Sequence, residues 1–485
     1  MRGLRLLAIA GVIAGWLVLQ ANPVCGQTTN STGNSSGNSS SNSSSNSSSN
    51  SNTSTGSLAN APAGVLISPS GVLTIKPFTD STGELTRMRI NESRARLGAA
   101  VAKGSPLRKI SLQRLEAALA ELLAGGKQAT DEMKALAGLT RLQYVFYYPD
   151  TKDIVIAGPA EGFFQDFSGR MIGMNSGRAV VELQDLAAAL RAFPPGGKPT
   201  HTIAVSIDPT PEGLARMQQW LASIRPTPGD AEAIVEGLKK QLGLHNVTVT
   251  GISPNTHFAQ VMVEADYRMK LIGIGVEPPP VRMATYIDKA SAAEVSKNAL
   301  QRWFFTPNYE CVRVAADDLA MEMVGQGVKL IGESELVAAG GQRAAGGGTN
   351  KASALFCQAF TVNYPMIAQR NAVYGQLKNL IDLAVAAAFI QKQDYYAQAG
   401  WKVEVMGDEK QYAIEHYAAP KTVETACTAV WKGSRLMTPV GGGVQMEPMR
   451  AVQTENRLKD EKGTVKQAHD NIKLENLAQG QWWWD

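Results

Sequence analysis

The polar feature whose side chains could act together is Glu264-Ala-Asp266-Tyr267-Arg268-Met269-Lys270, directly after the apolar stretch Phe258–Val263. Acids and bases alternate inside an otherwise apolar sequence. Such a pattern marks either a binding or catalytic site with shifted ionisation or a cluster of buried salt bridges. Asp266, Arg268 and Lys270 are therefore the candidate binding residues. As a catalytic reading, Asp266 and Arg268 would serve a hydrolase if they converged with Glu161, Glu310 or a histidine in one pocket. Asp317-Asp318 reads as a tight turn.

Other chemistries fail on spacing. The glycine-rich sites Gly125-Gly126-Lys127, Gly196-Gly197-Lys198 and Gly346–Lys351 lack the spacing of a phosphate-cradling loop. Gly273-Ile-Gly275-Val-Glu-Pro278 begins like a dinucleotide fingerprint, but Pro278 stands where the third glycine must let a helix pack closely. The histidines are His201, His245, His257, His416 and His469, with no pair four apart. No metal site is expected from such spacing, and no cofactor. No nucleophile motif of the serine or cysteine type occurs.

These residues need elements to hold them. Leucines at helical spacing make 84–124 helical, with Ser111 as a cap and Gly125-Gly126 as the stop. Gln143–Tyr148 and Asp153–Ala157 flank Pro149-Asp150-Thr151-Lys152 as a β-hairpin. Gly162–Phe167 and Arg178–Leu183 suggest a second β pair, followed by a helix over Gln184–Phe193. A strand His201–Ile207, a helix from Pro211 capped by Thr210, a helix Ala231–Leu242 and a strand Val247–Val249 form an α/β unit. After Pro278-Pro279-Pro280 come a hairpin around Ala316-Asp317-Asp318, a third strand at Gly327–Ile331 and a flexible loop Gly340–Gly348. Residues 352–399 follow as helix, broken at Pro365. Leu380–Ile390 is apolar nearly all round and too short for a span, so it reads as a buried core helix.

The fold class is thus α+β, a mixed α/β body of two or three packed modules after a disordered tether. The boundaries read as 63–198 for an N-terminal α+β module, 199–278 for a small α/β module and 279–444 for a hairpin-plus-helical module. Residues 445–485 form a polar, flexible tail ending in Trp482-Trp483-Trp484-Asp485, which either docks a partner or folds back.

The first residues read as an address. Arg2 and Arg5 precede the apolar run Leu6–Leu19, and Val24-Cys25-Gly26 offers a cleavage site, so 1–26 is expected to be a signal peptide leaving no membrane span in the mature chain. Residues 27–62 read as a tether, since 28–56 are almost purely Asn, Ser, Thr and Gly and have almost no apolar surface to offset the entropy of ordering. Sequons at Asn30, Asn34, Asn38 and Asn42 fall in it. Without Arg2 and Arg5 the chain carries 45 basic against 43 acidic residues, and no basic stripe, so no nucleic-acid partner is expected. Three cysteines remain after the signal, and either two of Cys311, Cys357 and Cys427 pair, leaving one free thiol, or all three are buried thiols.

Five stretches resemble a family of exported planctomycete proteins that carries only an unknown-function label. They are Asp153-Ile-Val-Ile-Ala-Gly-Pro-Ala-Glu161, Val181-Glu-Leu-Gln-Asp-Leu-Ala-Ala-Ala-Leu-Arg191, Ser206-Ile-Asp-Pro-Thr-Pro-Glu-Gly-Leu214, Ala265-Asp-Tyr-Arg-Met-Lys270 and Leu377-Lys-Asn-Leu-Ile-Asp-Leu-Ala-Val-Ala-Ala387. The resemblance implies a periplasmic, surface or secreted setting and brings no catalytic residues. The expected role is non-enzymatic binding or assembly with an envelope or extracellular protein or glycan. A secreted hydrolase around Asp266 and Arg268 is the alternative.

Overall fold

Local signals form elements where the sequence places them. Tyr144–Tyr148 and Asp153–Ala160 pair antiparallel around the Pro149–Lys152 turn, where Lys152 takes a positive φ of 57°. Ser111 accepts a hydrogen bond from the Arg114 amide and starts the helix Leu112–Ala124. Thr210 does the same through Gly213 for Pro211–Ser223, and Thr256 through Ala259 for His257–Gly273.

The computed structural model describes residues 64–485 apart from 77–79, 167, 226, 292–298, 338–342, 346–349, 433–434, 437–439 and 475–476. The expected signal peptide and tether (1–62) and most of the glycine loop lie outside the described residues. The described part falls in one compact unit, Gly56–Asp485. Its class is α+β, built on two large mixed sheets with helices against them.

The nine-stranded sheet runs, in spatial order, Val65–Ile67, Val72–Ile75, Thr422–Val423, His245–Thr250, Ile203–Asp208, Val440–Met446, Ala299–Pro307, Val328–Val337 and Arg343–Ala345. The seven-stranded sheet runs Leu458–Lys459, Val312–Val314, Ala320–Met323, Tyr144–Tyr148, Asp153–Ala160, Ser105–Ser111 and Trp483–Trp484. The nine-stranded sheet draws on 63–198, 199–278 and 279–444, and the seven-stranded sheet on 63–198, 279–444 and the last residues. The expected modules 63–198, 199–278 and 279–444 are therefore interleaved, because each would leave open strand edges that only distant segments fill. The strand after the 316–318 hairpin joins the other sheet, against Ala299–Pro307.

Four further expectations are corrected. Ser105–Ser111 is a strand inside the stretch expected to be helical, since its pairing with Asp153–Ala160 buries Ile110 and Arg108. The second β pair joins Phe163–Gln165 to Met171–Gly173, while Ala179 makes only one bridge, to Ile172. Pro365 lies within the continuous helix Lys351–Arg370, where Thr361 and Asn363 return donors to the Cys357 and Ala359 carbonyls one turn earlier. The break comes at Asn371, which caps the next helix, Ala372–Lys392. Residues 445–485 are a structural part of the body. Val440–Met446 is a central strand, and the glycines make it fit: Gly442 has φ of 129°, and a Cβ there would run into the Trp303 carbonyl.

Ala372–Lys392 is the one helix among the described residues long and apolar enough to cross a membrane. It is 94% buried inside the body and forms the main core with the sheets. The tryptophan triplet folds back: Trp482 is buried in that core, Trp483 lies 4.5 Å from the Arg108 guanidinium, and Trp484 packs on a separate cluster around Phe146. Cys311, Cys357 and Cys427 are all buried free thiols, the second of the two arrangements the sequence allows. Cys427 sits in a small cluster with the helices 211–223 and 231–242, away from the main core that holds the other two. Burial pushes the Cys311 and Cys357 thiols up to about 12 and Cys427 to about 11.

Candidate functional site: the charged interior of the central helix

Helix His257–Gly273 carries the candidate residues through the middle of the body. One side packs on the strands Ile203–Asp208 and Val440–Met446, the other on helices Leu183–Ala192 and Ala372–Lys392. Nearly every position is buried, so its charged side chains must be satisfied inside the protein.

Asp266 and Lys270 are one turn apart on the sheet side. Lys270 Nζ lies 2.6 Å from Asp266 Oδ2 and donates to the Ile207 carbonyl at 3.1 Å, and both side chains are completely buried. Burial pushes Asp266 up to about 6 and Lys270 down, against their mutual attraction. Asp266 Oδ1 finds no donor among the described residues. His245 is buried with both ring nitrogens unpartnered there, and burial and the Lys270 charge push it down to about 3.

Arg268 faces the other way, because residues two apart on a helix do not share a face. It bonds Glu264 at 2.8 Å and Glu277 at 2.9 Å, and Glu264 is held again by Arg170 at 2.6 Å. Asp266 and Arg268 thus belong to two separate ion-pair groups. Glu161 does not join them: it accepts the Asn175 amide at 2.9 Å and the Ser176 amide and hydroxyl. Glu310 is exposed beside the hairpin of the other sheet. The expected hydrolase constellation around Asp266 and Arg268 is therefore not assembled. A surface cleft of about 580 Å³ is lined by Arg191, Ser253, Asn255, Glu409 and His416, with none of Asp266, Arg268 or Lys270. Its arginine is spent on Glu409 and on the Met406 and Tyr412 carbonyls.

The Arg268 group continues where sequence reasoning did not look. Arg170 also donates to Gln376 Oε1, and Gln376 Nε2 lies 3.2 Å from His257 Nε2. His257 is the first residue of the helix. Its Nδ1 is 2.9 Å from Asp185 Oδ2, and its Nε2 is 3.6 Å from Glu182 Oε1. Burial alone would depress His257, but the Asp185 and Glu182 carboxylates outweigh it and hold it up to about 9. Burial likewise raises Glu182. Among the described residues, Glu182, Asp185 and His257 are the group whose ligand atoms could hold a metal ion, all within 4.8 Å of one another. A search for histidines four apart could not find them, since Asp185 and His257 are far apart in sequence.

Residues 205–286, which include the whole central helix, match the model of a family described as a protein of unknown function (DUF1598). No curated protein and no solved structure matches the chain.

Proposed function

We propose that this chain is exported and acts without turnover, as a binding or assembly protein of the cell envelope or extracellular space. Its folded body would be held on the Asn/Ser segment and would engage a protein or glycan. Support for export comes from Arg2 and Arg5 ahead of the apolar run Leu6–Leu19, and from the uncharged stretch up to Lys76.

The observation that carries the non-enzymatic reading is the closure of the central helix. Each charged group on it, at 264, 266, 268 and 270, is spent on a partner inside the protein. A general acid, base or nucleophile needs a reacting atom within hydrogen-bond reach, and the charges of 264–270 are instead turned toward one another and toward Arg170 and Glu277. Buried ion pairs of this kind fix one arrangement of packed elements.

The test pairs fractionation with sedimentation. The full chain, expressed in a bacterial host, should appear outside the cytoplasm, shortened at its N-terminus. The unit Gly56–Asp485 should co-sediment with insoluble envelope glycans and release no soluble product. Cytoplasmic retention of the whole chain would overturn the export reading. Product release abolished by a point change in the body would overturn the non-enzymatic one.

A further inference from the structure

Glu182, Asp185 and His257 stand at the outer end of the buried chain of polar contacts, where it approaches the surface: the Glu182 side chain is 12% exposed and that of His257 4%. We propose that they form a site for one divalent cation of the zinc class, ligated by His257 Nε2 and Glu182 Oε1, with Asp185 as the positioning carboxylate.

Three features support the assignment. The first is the bite. An ion about 2.1 Å from each ligand, the usual zinc distance, would bridge the 3.6 Å between His257 Nε2 and Glu182 Oε1 at an angle of roughly 118°, close to tetrahedral. Glu182 is already oriented for this, because its other oxygen accepts from Gln184 Nε2 at 2.7 Å and leaves Oε1 toward the ring.

The second is the far side of the imidazole. Metal-binding histidines almost always give their other ring N–H to a carboxylate, which fixes tautomer and orientation. Asp185 sits at that place, 2.9 Å from Nδ1. Gln376 Nε2 lies 3.2 Å from His257 Nε2 and would move aside as the ion takes that nitrogen.

The third is charge. Along the connected chain the carboxylates of Glu182, Asp185, Glu264 and Glu277 meet the guanidinium groups of Arg170 and Arg268. With a neutral, metal-binding ring these carboxylates outnumber the guanidinium groups, and Glu415, joined to Glu182 through Gln184 and Tyr417, adds to the negative excess that a cation would offset. An imidazole nitrogen in the set selects zinc-like ions over calcium and magnesium, which prefer all-oxygen sites. Bound there, the ion would tie the start of helix Leu183–Ala192 to the start of helix His257–Gly273.

The test uses the unit Gly56–Asp485, stripped with chelator and dialysed against Zn2+ or Co2+, with metal measured per chain. The expected result is one equivalent, and a tetrahedral visible absorption band with Co2+, neither displaced by excess Mg2+ or Ca2+. Asp185→Asn should bind 10–100-fold more weakly, the usual effect of losing an orienting carboxylate. His257→Gln and Glu182→Gln should each lose the equivalent and the band. Circular dichroism checks that the variants fold, and Glu182→Gln, at the more exposed position, decides if His257→Gln does not. Wild type taking up no metal, or a folded Glu182→Gln variant keeping the Co2+ band, would overturn the assignment.

Discussion

Replacing Lys270 by methionine should be among the most damaging single changes in the body. It leaves the fully buried Asp266 carboxylate without its counter-charge, where the pair now meets at 2.6 Å with neither side chain exposed. Removing one partner of such a pair costs about 3–5 kcal/mol. The unit Gly56–Asp485 is 430 residues long. At about 2.1 cal/mol/K per residue its unfolding entropy is about 0.9 kcal/mol/K, so the melting temperature should fall by roughly 3–6 °C. The double change Asp266→Leu with Lys270→Met should recover most of this, because well-packed apolar residues replace buried ion pairs at little cost or with a gain of about 1–4 kcal/mol. Calorimetry on the single and double variants measures both. A single variant melting within 1 °C of the parent would refute the claim that the pair is sealed from water. A double variant as unstable as the single would show that these side chains serve some role beyond neutralising each other.

Two further outcomes are expected. His245 is held down to about 3 by burial, against an unfolded value near 6.5, so the unfolded chain takes up a proton that the native state refuses. This contribution is complete above pH 6.5 and is lost as pH falls toward 3. Between pH 6.5 and 5 the His245 contribution alone should fall by roughly 1–2 kcal/mol, offset in part by Asp266, which takes up its proton near 6, so the measure is the difference between the parent and His245→Leu in denaturant titrations. Asp485→Asn removes the carboxylate bonded to the buried Arg108, at 2.8 and 3.1 Å, and should cost about 1–3 kcal/mol by the same calorimetry. An unchanged melting point would mean that the carbonyls of Val101, Ala137, Ala100 and Lys103 suffice to hold the guanidinium.

What could be read from the sequence was what neighbouring residues decide. The Pro149–Lys152 hairpin, the caps at Ser111 and Thr210, and the apolar core stretch Leu380–Ile390 depend on contacts within a turn or two, and each leaves a pattern. Pairing across hundreds of residues leaves none. Nothing in Val440–Met446 announces that it lies between Ile203–Asp208 and Ala299–Pro307, and its glycines, which resemble a linker, are there because two backbones approach closely. The charged run 264–270 was legible as either a site or a set of ion pairs. Only the helix geometry, which sends Asp266 and Arg268 to different faces, separates the two. Glu182 and Asp185 looked like ordinary residues at a helix start until His257 arrived from another element.

The interleaving of the sheets sets a clock on biosynthesis. Val65–Ile67 and Trp483–Trp484, the first and last strands described, are about 420 residues apart, which a ribosome making 5–20 residues per second needs roughly 20–85 s to cover. Until Val440–Met446 emerges, the nine-stranded sheet lacks the strand that joins its two halves, and the seven-stranded sheet waits for Trp483–Trp484 to cover Ser105–Ser111. Such long-range closure makes for slow folding. The nascent chain must therefore be carried with its edges open for most of a minute, which makes it a natural client for holding chaperones and a poor candidate for folding piecemeal as it is made.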